Sequence, residues 1–460
     1  MSIAGRLELA MHFTRRLLER RTQAAFIILV CVAGLAGAAS CSSTEADPER
    51  DGIAVDGGPD SSGSTGDAAP NVPVRDAAPF DGGPLPVVCE SAPCATALVT
   101  TRGGRASDRG EGFCALLQDG TVACWGAGGA GQLGRGDDAG TTDSATPARV
   151  VGLHDIVSLD HTCALDATGA AYCWGTGPFL RDPLAATTTE RTPVKLAIAP
   201  ATKVAVGASV GCALVENGVV CWGANQRGQV APFETASFSA VLAARRIDVP
   251  SGAPFRDLVV GDATFAIRTD GTVVSWGANP PLGRESSLFP DPYPMPAAVH
   301  DITTLDVAEN NACATSGGVA YCWGTVIQDP NQLVYKVPPL SRARPTPVAT
   351  PEPVVQIATT PAIEFAKPQR WCACAASGSV YCWGDNQGGQ AGDGTKEYAT
   401  APVKVKGLPG PAAAVRTTTE ATCALLTSGK VYCWGTNFYG QLGSGNIREP
   451  SLTPQEVVLP

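Results

Sequence analysis

Seventeen cysteines stand in 460 residues, and twelve of them fall into six pairs nine or ten positions apart. Cys114 goes with Cys124, Cys163 with Cys173, Cys212 with Cys221, Cys313 with Cys322, Cys372 with Cys382, and Cys423 with Cys433. Thiols can join as disulfides, hold a soft metal or act as nucleophiles. Each pair brackets a short polar turn containing Gly, so a hairpin would oppose its two sulfurs. One further equivalent segment carries Phe265 and Ser275 instead, and no segment has lost one cysteine alone. Joint loss is what a cross-strand disulfide predicts. The competing reading is buried free thiols packing as small hydrophobes. Zinc ranks third, because no Cys-x-x-Cys spacing occurs and no His lies at a matching offset. Cys89 and Cys94 are spaced to form a clip before the first pair, and Cys374 has no evident partner.

Other chemistry is sparse. Gly207-Ala208-Ser209-Val210-Gly211 spells a nucleophile elbow, but no helical pattern follows, and that turn needs one. Beyond the first 40 residues the only histidines are His154, His161 and His300. No phosphate-cradling loop, zinc-protease helix or calcium loop is spelled out. The Asp-Gly-Thr-Val turns stand too far from their Trp for sialidase-type boxes. No catalytic residue, no metal and no cofactor is therefore assigned. The candidate contact residues are Tyr335, Lys336, Arg342 and Arg344, in the long Pro-rich interval between Trp323 and Trp383. Loops on a rigid scaffold are where function collects.

The elements that carry the cysteines repeat. Seven units end in Trp-Gly, at Trp125, Trp174, Trp222, Trp276, Trp323, Trp383 and Trp434. They recur about every 51 residues, the mark of an array whose units cannot bury their apolar faces alone. One Trp per unit at a fixed place reads as repeat core. The last unit, Cys423-Ala424-Leu425 … Gly429 … Val431-Tyr432-Cys433-Trp434-Gly435, reads as two strands around a turn. In the first unit the loop is Gln118-Asp119-Gly120, which sets Cys114 opposite Cys124. In the fifth it shrinks to Gly317-Gly318, and Cys313 still faces Cys322. After the Trp comes Asn437 … Gly440-Gln441-Leu442-Gly443, and then a Pro-x-x-Val segment such as Pro454 … Val457.

This order resembles the regulator of chromosome condensation repeat family over residues 95–460. The resemblance is strongest in units one, six and seven and weakest after Trp174 and Trp323. It implies an all-β fold, a seven-bladed β-propeller, and a role in protein recognition. The family's nuclear exchange activity is not carried over to a chain that reads as exported. His161 falls at the family's common His-x-Cys-Ala-Leu position, which implies a packing or hydrogen-bonding role. The units predict that the ring closes by a split blade, with Pro454–Pro460 supplying the opening strand of the sheet that holds Cys114 to Trp125.

Residues 1–40 combine Arg15, Arg16, Arg20 and Arg21 with an apolar stretch from Ala24 to Ala39, a signal-peptide pattern. Ala38-Ala39-Ser40-Cys41 resembles a lipoprotein processing box, with Cys41 lipidated, although Ala38 stands where Leu is commonest. Plain secretory cleavage, a retained anchor and a start at Met11 are the alternatives. Residues 41–94 read as an acidic Asp/Gly/Ser/Pro-rich linker unable to offset its ordering entropy. The net charge of −10 argues against nucleic-acid binding.

The expected molecule is thus an exported, monomeric, lipid-anchored propeller of the bacterial outer membrane or cell surface. It would be non-enzymatic and bind a protein or glycan through face loops. The alternative is an envelope lyase or hydrolase, for which acidic residues or His converging on the central channel would speak.

Overall fold

The computed structural model describes residues 80, 82–103, 110–137, 142–216, 218–324, 340–360 and 369–460. Residues 1–40, Cys41, most of the linker, Tyr335 and Lys336 lie outside this set. The described residues form seven four-stranded antiparallel sheets, each a meander of consecutive strands. The blades span 95–149, 156–195, 201–246, 255–296, 302–348, 354–404 and 412–456. The first strands of successive blades touch one another all the way round, from 95–100 through 412–417 and back. The fold is a seven-bladed β-propeller whose inner wall is formed by the first strands of the blades.

The local sequence explains each layer. Second strands such as Gly112–Leu117 are buried on both faces, so they read as unbroken apolar or small-residue runs. Fourth strands such as Thr188–Lys195 form the wet outer edge and read as polar. The three-residue loop ends at Gly120 with φ 76°, a left-handed conformation that favours glycine.

The two repeated landmarks meet each other. The indole N–H of Trp174 donates to the Gln132 carbonyl of the preceding blade at 2.9 Å, Trp276 to Gln229 at 2.9 Å, and Trp434 to Gln390 at 2.8 Å. Where a unit lacks the Gln, a Pro carbonyl accepts instead: Pro178 for Trp222 and Pro281 for Trp323. That substitution explains how the degenerate units keep the fold. The glycine after each Trp is equally constrained. A Cβ on Gly126 would lie 2.6 Å from the Glu111 carbonyl oxygen. The Asn of the same segment pins the loop tip, as Asn437 Oδ1 accepts from Leu442 N at 3.1 Å.

The split-blade closure is not what forms. Ala95–Thr100 is the first strand of a complete first sheet, and Ser451–Glu456 is the outer strand of a complete seventh sheet. The Pro-x-x-Val strand pairs with the Trp strand before it, not with the blade that follows. Ring closure is face-to-face packing of blade 7 on blade 1. Residues 82–94, expected at the end of the linker, run against this seam. Val88 N donates to Thr427 O at 2.7 Å, and Val87 packs on the core shared by the two blades.

Candidate functional site

The second and third strands of six blades bring their cysteines together. Cys114 meets Cys124 in blade 1, Cys163 meets Cys173 in blade 2, and Cys212 meets Cys221 in blade 3. Cys313 meets Cys322 in blade 5, Cys372 meets Cys382 in blade 6, and Cys423 meets Cys433 in blade 7. In all six the sulfurs stand at bonding distance, with Cα atoms 4.1 Å apart. The partners are direct cross-strand neighbours, so Cys173, Cys221 and Cys382 stand in the Trp strand opposite Cys163, Cys212 and Cys372. Cys89 and Cys94 form a seventh bridge. Seven disulfides fit an oxidising compartment. Blade 4 shows what replaces a pair. Phe265 fills the space edge-on to Trp323, and the Ser275 hydroxyl donates to Leu282 O at 2.6 Å. Cys374 is buried and donates to Ala412 O, and burial pushes its thiol up to about 12, which disfavours the thiolate.

The first strands turn charged side chains into the central channel. Asp160, Lys203, Asp257, Asp306 and Arg416 line a cavity of about 180 Å³. The carboxylates engage neighbouring strands. Asp160 accepts from Val206 N at 3.1 Å and Asp306 from Thr359 N at 2.8 Å, each on the next blade. Asp257 pairs with Lys203 at 2.9 Å. Gln356 bridges to blade 7, donating to and accepting from the backbone of Val415. Burial lifts the Asp160 carboxyl above its ordinary value against the pull of Lys203. Burial opposes the Lys203 charge, yet Asp257 and Asp160 outweigh it and hold the ammonium above its usual range. These groups bind blade to blade.

A second cavity of about 550 Å³ lies among loops of blades 1 to 5, on the face that carries the Trp-Gly turns. Thr187, Ser209, Gln226, Arg227, Asp262 and Glu309 contribute its polar lining. Arg227 and Asp262 approach to 3.5 Å, both partly solvated. The loops between third and fourth strands on this face carry exposed apolar side chains. Leu184 belongs to blade 2, Phe233 and Phe238 to blade 3, and Leu288 and Phe289 to blade 4. Tyr293 donates to Glu234 at 2.6 Å, which joins the blade 3 loop to the outer strand of blade 4.

The other residues singled out by sequence are dispersed. The seven Trp are buried in successive blade interfaces. Arg342 sits in a short 3₁₀ turn, Leu340–Ala343, and Arg344 pairs with Glu285 of blade 4 at 2.8 Å. His161 bonds through Nδ1 with Thr100 of blade 1 at 3.0 Å. Ser209 lies in a strand-to-strand turn, and the next element is another strand, Val210–Val215. Among the described residues no group of three or more His, Cys, Asp or Glu is placed to hold a metal, and no helix is long and apolar enough to cross a membrane.

Sequence reading missed the carboxylates of both cavities. One signal was present: Leu159-Asp160 and Leu305-Asp306 put an acid at the same place in the first strands of blades 2 and 5.

Models of the regulator of chromosome condensation (RCC1) repeat match residues 201–229, 377–425 and 420–441. These matches and the structural neighbours support the RCC1 repeat family. The chain is 27% identical to the Arabidopsis thaliana ultraviolet-B receptor UVR8 over 364 residues, covering 75% of this chain and 68% of that protein. It is 27% identical to the Mus musculus E3 ubiquitin-protein ligase HERC2 over 359 residues, covering 71% of this chain but only 7% of that protein. Among solved structures, yeast RCC1 (Prp20) bound to Kap60 superposes with a TM-score of 0.59 at 19% identity, covering 74% of this chain and 83% of that one. Human WBSCR16 gives 0.57 at 19% identity, covering 74% and 94%.

Proposed function

We propose that the chain is an exported interaction propeller without catalysis of its own, binding a protein through the loops of its Trp-Gly face. The carrying observation is the run of exposed apolar side chains on three consecutive blades, with Leu184 88% exposed and Phe238 65% exposed. Apolar side chains that share one exposed face mark association sites. A structurally similar yeast protein was crystallised bound to Kap60, which agrees with a protein partner. Affinity capture from envelope extracts tests the reading. A protein retained by the wild type and lost from Phe238→Ala/Phe289→Ala is expected; identical retention by both would exclude this face.

The lyase or hydrolase alternative draws on Asp160, Asp257 and Asp306 converging on the channel. Their use as inter-blade bonds weighs against it, because a working acid or base must be able to reach substrate. Cys41 as a lipid-bearing N-terminus completes the proposal. Palmitate labelling should mark the wild type and not Cys41→Ala; equal labelling of both sinks the anchor.

A further inference from the structure

We propose that the Cys89–Cys94 bridge is a thiol–disulfide exchange site, a clasp on the seam between blades 7 and 1 that a dithiol reductant opens while the six blade bridges stay closed. The proposal is independent of the apolar face. Its first ground is access, which governs the rate of thiolate attack on a disulfide. The twelve blade cysteines are buried, none more than 7% exposed. A thiolate reaches them only after strands have parted. Cys89 is half-buried instead, and the residues between the two sulfurs, Glu90 to Pro93, are all exposed. Ala92, Pro93 and Cys94 also border a cavity of about 520 Å³, which leaves room for a reductant without moving a blade.

The second ground is place. Residues 87–95 lie across the one seam that no fourth-to-first-strand connection crosses. Val87 packs on the core shared by blades 7 and 1. Val88 N donates to Thr427 O at 2.7 Å, and Ala95 N to Gly429 O at 2.9 Å. Cys94 Sγ rests against Gly429, where a Cβ would collide with it. Among the described residues, the Val88 bond is the one hydrogen bond that fixes residues 82–93. The bridge therefore supplies most of the hold, tying Val87 and Val88 to the start of the first strand of blade 1. The exchange balances in two steps. A reductant thiolate attacks Cys89 Sγ from solvent, the Sγ–Sγ bond breaks, and Cys94 leaves as a thiolate that takes up a proton. The released thiol has an acceptor in Ala95 O, 3.7 Å away. The second thiol of the reductant, deprotonated, then attacks the reductant's own sulfur in the mixed disulfide and frees Cys89, which is protonated in turn. Two electrons pass to the bridge, and the reductant ends as a disulfide.

The test is graded reduction of the native, disulfide-intact protein by dithiothreitol, with alkylation of free thiols and peptide mapping at each step. Cys89 and Cys94 should be alkylated at least about tenfold faster than any of the twelve blade cysteines. Hydrogen exchange is then measured on protein reduced at that bridge alone and on Cys89→Ser/Cys94→Ser. The amides of Val88 and Ala95 should exchange at least about tenfold faster in both, with blades 3 and 4 unchanged. Blade bridges that open as fast as Cys89–Cys94, or free thiols at Cys89 and Cys94 before any reduction, would overturn the exchange site. Selective reduction with unchanged exchange at Val88 and Ala95 would overturn the clasp. Should the double variant fail to fold, the selectively reduced wild type carries the same comparison.

Discussion

Glu111 shows how one residue can make the ring sensitive to pH. It stands just before the second strand of blade 1 and reaches blade 7. There it accepts from the Thr418 hydroxyl at 2.5 Å and from Glu420 N at 3.2 Å. Burial lifts its carboxyl to about 7, and the Glu420 carboxylate adds to the lift, against the Thr418 hydroxyl and the Arg370 guanidinium. Arg370 is itself drawn down to about 10 by burial, with Asp385, Glu111 and Glu420 opposing. An unfolded Glu titrates near 4.5, so the folded state holds the Glu111 proton more tightly. Its stabilising contribution is complete below about 4.5 and is lost as pH rises toward and through 7, roughly 3 kcal/mol in all. Glu111→Gln keeps an acceptor and removes the titration. Melting curves from pH 5 to pH 8 should fall less steeply for Glu111→Gln than for the wild type. Parallel curves would show that the carboxyl ionises without strain. Nothing in the sequence marks Glu111, because its environment is made by residues about 300 positions away.

At the scale of the element, the hairpin of second and third strands was legible because its signals are local. Turn length, opposed cysteines and Trp-Gly all lie within about a dozen residues, and registers such as Cys114↔Cys124, Cys212↔Cys221, Cys313↔Cys322 and Cys372↔Cys382 follow from the turns. The first strand was harder to place. Ala95–Thr100, with Ala-Thr-Ala-Leu-Val-Thr, is the counterpart of Ala201–Val206 in blade 3, yet it has no turn or cysteine to mark it. Overlooking it produced the split-blade expectation. Each cross-strand bridge closes a loop of about ten residues, which loop entropy values at roughly 2–3 kcal/mol. Replacing both Cys163 and Cys173 by Ser should therefore lower the melting temperature. Phe265 and Ser275 of blade 4 show that the site tolerates other solutions when the volume is refilled. Reduction of the wild type without loss of stability would mean that strand packing alone holds the hairpins.

The whole ring has seven seams, and six of them are crossed by a chain connection from a fourth strand to the next first strand. The seam from blade 7 to blade 1 lacks that connection but repeats its other contacts. Ala95 N donates to Gly429 O at 2.9 Å, as Ala201 N does to Gly169 O and Ala412 N to Gly378 O. Trp125 donates to Gln441 O at 3.0 Å, like the other indoles. The two chain ends supply the rest. Val87 packs on the seam core, which also holds Val457 and Leu459 beside Phe113 and Trp125. Sequence reading expected Pro454–Pro460 to close the ring, but as a strand and not as seam packing, and it left Val87 unmarked because residues before the first unit have no counterpart in the repeat. The tail alternates in burial: Val457 is 3% exposed, Val458 75% and Leu459 8%. That alternation makes a test with an internal control. Val457→Ala and Leu459→Ala each remove buried side-chain volume from the seam and should cost about 1–4 kcal/mol, with a matching fall in melting temperature. Val458→Ala, one position away on the solvent side, should change stability by no more than about 0.5 kcal/mol. Because the unlinked seam is where the ring can open, the two buried variants should also expose blade edges and aggregate on warming. Three variants with the same melting temperature as the wild type would mean that the ring closes without its tail.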